Sequence, residues 1–432
     1  MFDTNIAIAI LLVGFFVFLL LKVPITFSLI FSAGLCAIYC GLGLMPITQQ
    51  MVAGVNKVNL LAIPFFILAG EIMGTGGISQ RLITFSHALV GWLPGGLAQV
   101  NVLASMFFGG ISGSAVADTS SIGAVLIPMM KEEGYDAEFS VGITVTSSCQ
   151  GILIPPSHNM IMYAVCAGSA VSVGNLFLAG LFPGICLGIA LMVSCFIMAI
   201  KRKYPKGRKM TAKERLISAV KAIPSLFTII IIVCGVSGGF FTATESASVA
   251  CIYAFLLTFF VIREIKIKEM IPILDRCLRT LALVLSLIAA ANAFAWMMTY
   301  LKVPKMITSA MLSISDNPFV VYALIIVLLL LLGCIMDMAP LILIMSPILI
   351  PVATNFGMTA THFGIVLIFA LAIGLCTPPV GSVLFVGCSI GKTKIEKTSV
   401  AMLPFFFTMV ITLLLVTYIP WFTTFLPNLI GK

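Results

Sequence analysis

The sequence predicts an all-α polytopic membrane protein built from two inverted-topology repeats. Three observations predict this class: an apolar composition, a constant offset between unusual motifs, and opposite charge in matched loops. The chain has 432 residues, of which 61% are hydrophobic and 9% are charged, whereas soluble domains carry about 25% charged residues. Apolar runs of about 20 residues recur along the whole length, so membrane lipid is the expected surrounding.

The net charge of +9 does not indicate nucleic acid as a partner, because the basic residues lie in a few short loops. Such clustering is typical of the cytoplasmic loops of membrane proteins. The 12 cysteines are scattered singly through apolar runs without CxxC spacing, so we interpret them as small buried hydrophobes. The first apolar run has no basic residues before it, so we expect a retained helix.

The first repeat is predicted to occupy residues 1–205. It contains three spans, an interfacial helix, a re-entrant hairpin, a span broken at Pro155-Pro156 and a closing span. In chain order these elements are 6–21, 25–44, 60–77, 78–96, about 97–130, about 139–167 and 175–200.

A basic cytoplasmic linker, 206–223, is predicted to lead into the second repeat, 224–432. Its elements follow the same order, with a basic loop between the second and third spans and a second break at Pro378-Pro379. They are spans 224–241 and 246–262, basic loop 263–279, span 281–300, interfacial segment 304–318, hairpin about 319–351, broken span about 363–390 and closing span 400–426.

Motifs in the two halves are separated by a constant 223 positions. Pro351 lies 223 positions after Pro128, and Pro378 lies 223 positions after Pro155. Gly134 and Gly357 show the same separation. Apolar sequences match by chance, but double prolines and turn glycines rarely do, so the offset indicates a repeat.

Charge predicts the relative orientation of the repeats. The loop after the first hairpin, 131–136, carries Lys131 and three acids, whereas its counterpart 355–362 has no Lys, Arg or acid. Residues 167–175 are uncharged, whereas the matching loop 390–398 contains three lysines. Under the positive-inside rule, matched loops with opposite charge lie on opposite sides of the membrane. Each repeat also has about five full spans, and an odd number requires inversion.

Polar residues interrupt the apolar sequence at the hairpin tips and at the breaks. Ser112-Gly113-Ser114 and Asp118 mark the first hairpin, and Asp337 marks the second. Proline frees a backbone carbonyl in each broken span. Carbonyl and hydroxyl oxygens suit Na⁺, and half-helix N-termini suit an anionic substrate, so the pattern predicts a transport site between the repeats.

Structural interpretations stand beside this one. Ser112 and Ser114 are also compatible with close helix packing. Asp118 is equally compatible with a helix-capping role near an N-terminus and with direct ligation. His158, at the first break, is a candidate substrate contact. No nucleotide-binding or hydrolase motif occurs, so ATP hydrolysis lacks support.

The segments GGISGSAVADTSSIGAVLIP, GILIPPS and GLCTPPVG resemble the large membrane subunit of tripartite ATP-independent periplasmic (TRAP) transporters. The resemblance covers nearly the whole chain in order. It implies a multi-pass subunit of the bacterial inner membrane that imports organic acids such as sialic acid, C4-dicarboxylates or sugar acids. The implied transport is coupled to Na⁺ and follows an elevator mechanism. The implied partners are a small four-helix membrane subunit and a periplasmic substrate-binding protein.

The resemblance and the motifs together give two sets of site residues. The expected substrate contacts are Ser112, Ser114, Ser157, His158, Asn159 and Asp337. The expected Na⁺ ligands are Ser112, Gly113, Asp118, Pro155, Gly333, Asp337, Thr377, Pro378 and Gly381. The His158-Asn159 pair departs from the apolar residues that are commoner there in the family, so we expect it to tune specificity, with a polyhydroxylated acid as a candidate substrate.

Two other functions remain open from the sequence. One is a proton-coupled or stand-alone anion carrier that uses Asp118, Asp337 and His158 as proton carriers. The other is an intramembrane transferase, which the repeat symmetry and the lack of a clustered nucleophile, His and acid disfavour. The expectation is therefore a transporter and not an enzyme.

Overall fold

The computed structural model describes residues 3–430, and all the secondary-structure elements named for these residues are helices. The helices of the first half, with a short 3₁₀ turn Val58–Leu61 before the fourth, are α1 Thr4–Leu20, α2 Ile25–Tyr39, α3 Met45–Val55, α4 Ala62–Thr75, α5 Ile78–Val90, α6 Gly96–Ser112, α7 Ala115–Glu132, α8 Ala137–Gln150, α9 His158–Ala167 and α10 Val173–Arg202.

The helices of the second half repeat this order from the fifth element onward. They are α11 Ala212–Ser237, α12 Ala243–Leu256, α13 Ile267–Tyr300, α14 Val303–Ile314, α15 Pro318–Ile335, α16 Met338–Asn355, α17 Ala360–Gly374, α18 Ser382–Gly391, α19 Ile395–Tyr418 and α20 Trp421–Ile430. Within residues 3–430, eight helical segments are long and apolar enough to cross a membrane. The all-α polytopic class is therefore confirmed.

Both predicted hairpins are present as pairs of half-length helices. The first consists of α6 and α7 around Gly113, which has a φ of 60°. Glycine adopts this left-handed conformation without steric cost. The second consists of α15 and α16, separated only by Met336 and Asp337. Each predicted broken span is likewise two helices, α8 with α9 and α17 with α18, joined through the double proline.

Two helices of the second half begin earlier in the chain than the sequence predicted, so they include part of the predicted loops. Two thirds of the linker 206–223 is helical, because α11 starts at Ala212 behind a capping box of Thr211 and Glu214. The predicted basic loop 263–279 is only a short turn, since α13 begins at Ile267 behind Lys266 and Glu269. A capping box satisfies the first free N–H groups and so lengthens a helix beyond its apolar span.

The predicted closing span 400–426 is wrong as a single helix. Helix α19 ends at Tyr418, and the separate helix α20 begins at Trp421. Pro420 lies between them, and a proline disfavours helical geometry in the residue before it. The sequence analysis also missed α3, a short helix with a proline at its start.

Tertiary contacts divide the helices into two groups. Helices α1–α4 pack mainly with α11–α13, whereas the hairpins, the broken helices, α10, α19 and α20 pack mainly with one another. The two groups touch where α13 meets α16, α4 meets α6 and α10 meets α11. Helix α5 contacts both groups through α11 and α6, and α14 contacts α16 and α13. The second group, called the hairpin group below, contains every predicted site residue.

The repeat offset also holds for helix bounds. Helix α16 begins and ends 223 positions after α7 does, at Met338 against Ala115 and at Asn355 against Glu132. This agreement supports a common architecture for the two halves. The inverted orientation and the domain limits at 205 and 224 remain predictions.

Glycine pairs let each hairpin cross its broken helix closely. A Cβ atom on Gly151 would lie 2.7 Å from Gly109 Cα, and one on Gly374 would lie 2.6 Å from Gly333 Cα. Neither pair leaves room for a methyl group, because the neighbouring atom is backbone. Small residues at such crossings are the usual means of close packing in membranes.

We predict that Gly374→Ala lowers the free energy of unfolding by about 1–3 kcal/mol, since overpacking forces backbone shifts. Thermal unfolding of the purified protein measures the change. Gly14→Ala is the matched control, because a Cβ there is 3.8 Å from Ser32 Cβ, an ordinary contact. Equal unfolding temperatures for the two variants would contradict the packing argument.

Candidate substrate-binding site between the hairpin tips and the helix breaks

A cavity lies where the two hairpin tips meet the two helix breaks. About 100 Å³ of it is open to the centres of water molecules. Its lining comes from the starts of α7, α9, α16 and α18 and from the two breaks. The eleven lining residues are Ser114, Ala115, Val116, Ile152, His158, Asn159, Asp337, Met338, Ala339, Leu375 and Ser382.

The lining repeats the sequence offset almost completely. Ten of the eleven residues form five pairs separated by 223 positions. They are Ser114 and Asp337, Ala115 and Met338, Val116 and Ala339, Ile152 and Leu375, and Asn159 and Ser382. His158 is the one lining residue whose counterpart, Gly381, is not part of the lining. The cavity therefore lies where the two halves of the chain face each other.

Four helix N-termini converge on this cavity. Its lining includes the N-cap or the first residues of α7, α9, α16 and α18. Each N-terminus has free N–H groups and behaves like roughly half a positive charge. None of the lining residues is Lys or Arg. The arrangement suits an anion that is held by backbone N–H groups rather than by a cationic side chain.

The first hairpin tip lies directly against the first break. A Cβ atom on Gly113 would approach Pro156 O at 2.5 Å and Ser157 Cα at 3.1 Å. Ser114 caps α7 and accepts a hydrogen bond from Ala117 N at 3.3 Å, while Ser112 Oγ lies 3.4 Å from Ser114 O. Ser157 is fully buried, and its hydroxyl has no hydrogen-bond partner within residues 3–430.

The second side of the cavity carries its one formal charge. Asp337 is the N-cap of α16 and is exposed to the cavity. Its Oδ1 accepts a hydrogen bond from Ser382 Oγ at 3.2 Å. The break is tied to the hairpin by Val380 N–H, which donates to Cys334 O at 3.1 Å. Gly381 has a φ of 22° at the start of α18.

Asp118 does not line the cavity. It is fully buried in the first turn of α7, where its Oδ1 accepts a hydrogen bond from Ser105 Oγ at 3.3 Å. Its Oδ2 has no hydrogen-bond partner among the described residues. Ser147 and Asn101 continue the polar contacts from Ser105 towards α8. Asp118 therefore belongs to a buried polar cluster behind the hairpin tip, and its side chain does not cap α7, since Ser114 does.

The structure thus brings together four of the predicted substrate contacts, Ser114, His158, Asn159 and Asp337. The predicted Na⁺ ligand Gly333 packs against Gly374, and Thr377 Oγ1 donates to Ile373 O at 2.9 Å within its own helix. Pro155 is buried and Pro378 is exposed. Their carbonyl oxygens rather than side chains are the groups left for a cation.

Sequence reasoning missed the apolar part of the lining and the polar cluster around Asp118. The offset of 223 would have paired Ser114 with Asp337 and Val116 with Ala339. For the cluster, the available sign was the run of small polar residues in α8, TVTSSCQ, all of which is buried. The fact that this polar run faces Asp118 depends on how the helices pack, which the sequence pattern does not show.

Comparison with known proteins assigns the chain to a family. Residues 12–422 match the family model described as "Tripartite ATP-independent periplasmic transporter, DctM component". The chain belongs to this family. The TRAP resemblance of its motifs is thereby confirmed over nearly the whole length.

Individual relatives agree with the family. The chain is 41% identical to "Uncharacterized protein YgiK" of Salmonella typhimurium, over 99% of each chain. It is 38% identical to the "Sialic acid TRAP transporter large permease protein SiaM" of Vibrio cholerae, over 94% of this chain and 95% of the relative. The fold is similar to the solved Alcanivorax borkumensis YdaH transporter, with a TM-score of 0.62, 15% identity and 88% of each chain covered.

Membership in this family indicates the general role, the location and the partners of the chain. This DctM-family chain is a transporter subunit of the bacterial inner membrane and not an enzyme. Large TRAP permeases work with a small membrane subunit and a periplasmic substrate-binding protein, so the family implies both partners. The cavity between the hairpins lies inside the matched region.

We predict that Ser157→Ala changes the free energy of unfolding by less than about 1 kcal/mol, because no hydrogen bond is lost. Ser147→Ala is the matched comparison, since the Ser147 hydroxyl donates to Asn101 Oδ1 at 3.1 Å. Losing a partner of a buried polar group costs about 1–3 kcal/mol. Thermal unfolding without substrate measures both, and an equal loss in the two variants would show that Ser157 is already satisfied inside the protein.

Proposed function

We propose that this chain is the large transmembrane subunit of a Na⁺-coupled importer that takes up an organic acid. The acid is delivered by the periplasmic substrate-binding protein and passes through the cavity between the hairpin tips. The observation that carries the proposal is the convergence of four helix N-termini on one cavity without Lys or Arg.

An acid group suits this cavity for an electrostatic reason. Backbone N–H groups at helix starts stabilise negative charge, and the effect is stronger in partly buried geometry than at a surface. The half-helices of discontinuous spans hold anionic substrate groups in this way in secondary transporters. Ser112, Ser114 and Ser157 add hydroxyl donors on the first side.

Sodium is the cation that the oxygen donors suit. On the first side the donors are Ser112, Gly113, Asp118 and Pro155, and the unpaired buried Asp118 Oδ2 and Ser157 Oγ are atoms that a cation would satisfy. An unpaired buried carboxylate is costly unless a cation or a proton compensates it. On the second side the proposed ligands are Gly333, Asp337, Thr377, Pro378 and Gly381. Bound Na⁺ would offset the charge of Asp337 beside the acid.

The division into two helix groups supports an elevator motion. The hairpin group would move as one body against α1–α4 and α11–α13. One polar contact between the groups is Lys57 Nζ, which donates to Val165 O at 3.2 Å near the end of α9. A small cavity of about 60 Å³ adjoins it.

We predict that Asp337→Ala lowers Na⁺-dependent uptake at least tenfold, because the variant removes the charged group that faces both substrate and cation. Uptake is measured in proteoliposomes that contain this chain with its small subunit, in the presence of the binding protein. Asp316→Ala, a change in the loop before α15, is the matched control. Normal uptake by Asp337→Ala would remove Asp337 from the site.

A proton-coupled carrier is the second candidate, and the burial of Asp118 favours it. A carboxyl group that is fully buried with one unpaired oxygen is stabilised by a bound proton as well as by a cation. His158 in the cavity is a second group that can hold a proton.

Uptake at fixed pH separates the two candidates. We predict that an inward Na⁺ gradient drives accumulation when pH is equal on both sides. A pH gradient without Na⁺ should give background uptake only. Accumulation that follows the pH gradient and ignores Na⁺ would establish the proton-coupled carrier instead.

A further inference from the structure

His158 and Asn159 are polar groups in the cavity that the protein itself does not satisfy. Both side chains line the cavity, and Asn159 is 5% exposed. Neither side chain has a hydrogen-bond partner within residues 3–430, in contrast to Ser382, which donates to Asp337. Buried polar side chains are almost always hydrogen-bonded in native proteins. Their free atoms therefore indicate where a ligand supplies the missing partners.

These free groups exist on one side of the cavity only. The residues 223 positions later are Gly381, which has no side chain, and Ser382, whose hydroxyl is used by Asp337. A ligand with two equivalent ends would match a symmetric lining. This asymmetric lining instead suits a ligand that carries additional hydrogen-bonding groups at one end only.

The chemistry of the two side chains limits what those groups are. An Asn amide offers both donors and an acceptor, and a neutral imidazole offers one of each. Carboxylates only accept hydrogen bonds, whereas hydroxyl groups both donate and accept. Hydroxyl groups therefore satisfy all the free atoms, and a second carboxylate leaves the Asn159 carbonyl oxygen unpaired.

About 100 Å³ of the cavity is open to the centres of water molecules, which is room for several waters and hence for one end of an acid. The cavity is open rather than enclosed, so this volume does not limit the length of the rest of the substrate.

We infer that the cavity takes a hydroxylated monocarboxylic acid, and that His158 and Asn159 bind its hydroxyl groups. The carboxylate lies at the helix N-termini, and the hydroxyl groups face the two side chains. This inference rests on the proposed function, because it assumes that the cavity binds an acid. It is consistent with the expectation of a polyhydroxylated acid.

Discrimination against an acid without hydroxyl groups follows from the unpaired atoms. A site built to hydrogen-bond a substrate hydroxyl rejects the analogue that lacks it by large factors, because its buried polar groups are left unsatisfied. The second carboxylate of succinate could accept from the Asn159 amide N–H and the imidazole N–H, but it would leave the Asn159 carbonyl oxygen and the acceptor nitrogen of His158 unpaired. The two residues are thus specificity-determining residues rather than general anion-binding ones.

The test uses the complex of this chain with its small subunit, purified in Na⁺. Binding of D-gluconate, L-threonate, succinate and N-acetylneuraminate is measured by the shift in unfolding temperature and by calorimetry. We expect at least one of the hydroxylated acids, gluconate, threonate or N-acetylneuraminate, to bind at least tenfold more tightly than succinate. In His158→Leu and Asn159→Leu, affinity for the hydroxylated acid should fall at least tenfold while that for succinate stays or rises. Ser120→Ala, whose hydroxyl bonds only its own helix, is the matched control.

The outcomes separate the inference from the function on which it rests. Preferred binding of succinate overturns the inference and leaves the acid transporter standing. An equal loss of all acids in the two Leu variants shows a structural role and also overturns it. Unfolding temperatures of the ligand-free variants identify misfolding, in which case His158→Gln and Asn159→Ser replace them. If none of the four acids binds, the anion site and the inference fail together.

Discussion

Helix ends inside a bilayer expose backbone N–H and C=O groups that lipid cannot hydrogen-bond. The rest of this structure depends on how those groups are placed. Each hairpin turn and each double-proline break creates such ends within a membrane-spanning region. The fold brings the ends together, tip against break, so that they face one another and a polar cavity instead of hydrocarbon. Unpaired backbone groups at four separate helix ends would each be destabilising in lipid, but here they surround one candidate binding site.

Close packing makes this arrangement possible. The crossings of Gly109 with Gly151 and of Gly333 with Gly374 bring each hairpin onto its broken helix at backbone contact. Gly113 does the same at the first tip, against Pro156 and Ser157. Any side chain at these positions would push the tip from the break and open a gap. The glycines are therefore part of the binding geometry, although none of them offers a functional side chain.

The two sides of the cavity share one architecture but differ in chemistry. Helix bounds and lining residues repeat at the same offset, so both sides present helix N-termini to the cavity. Asp337 replaces Ser114 as the hairpin cap, and His158 faces the cavity where Gly381 cannot. Under the proposed function, the common framework attracts an acid and the differing positions select among acids.

The sequence alone determined the membrane class, the hairpins, the broken spans and the repeat, because composition, double prolines and a fixed offset are properties of the order of residues. It also placed Ser114, His158, Asn159 and Asp337 at the site, since polar residues that interrupt apolar runs have few other roles in lipid. Only the tertiary structure decided that Asp118 is buried behind the first tip and that Ser157 lacks a partner. Those facts depend on which helix faces which across distances of up to several hundred positions in the chain. Local pattern carries no information about such contacts, whereas packing fixes them.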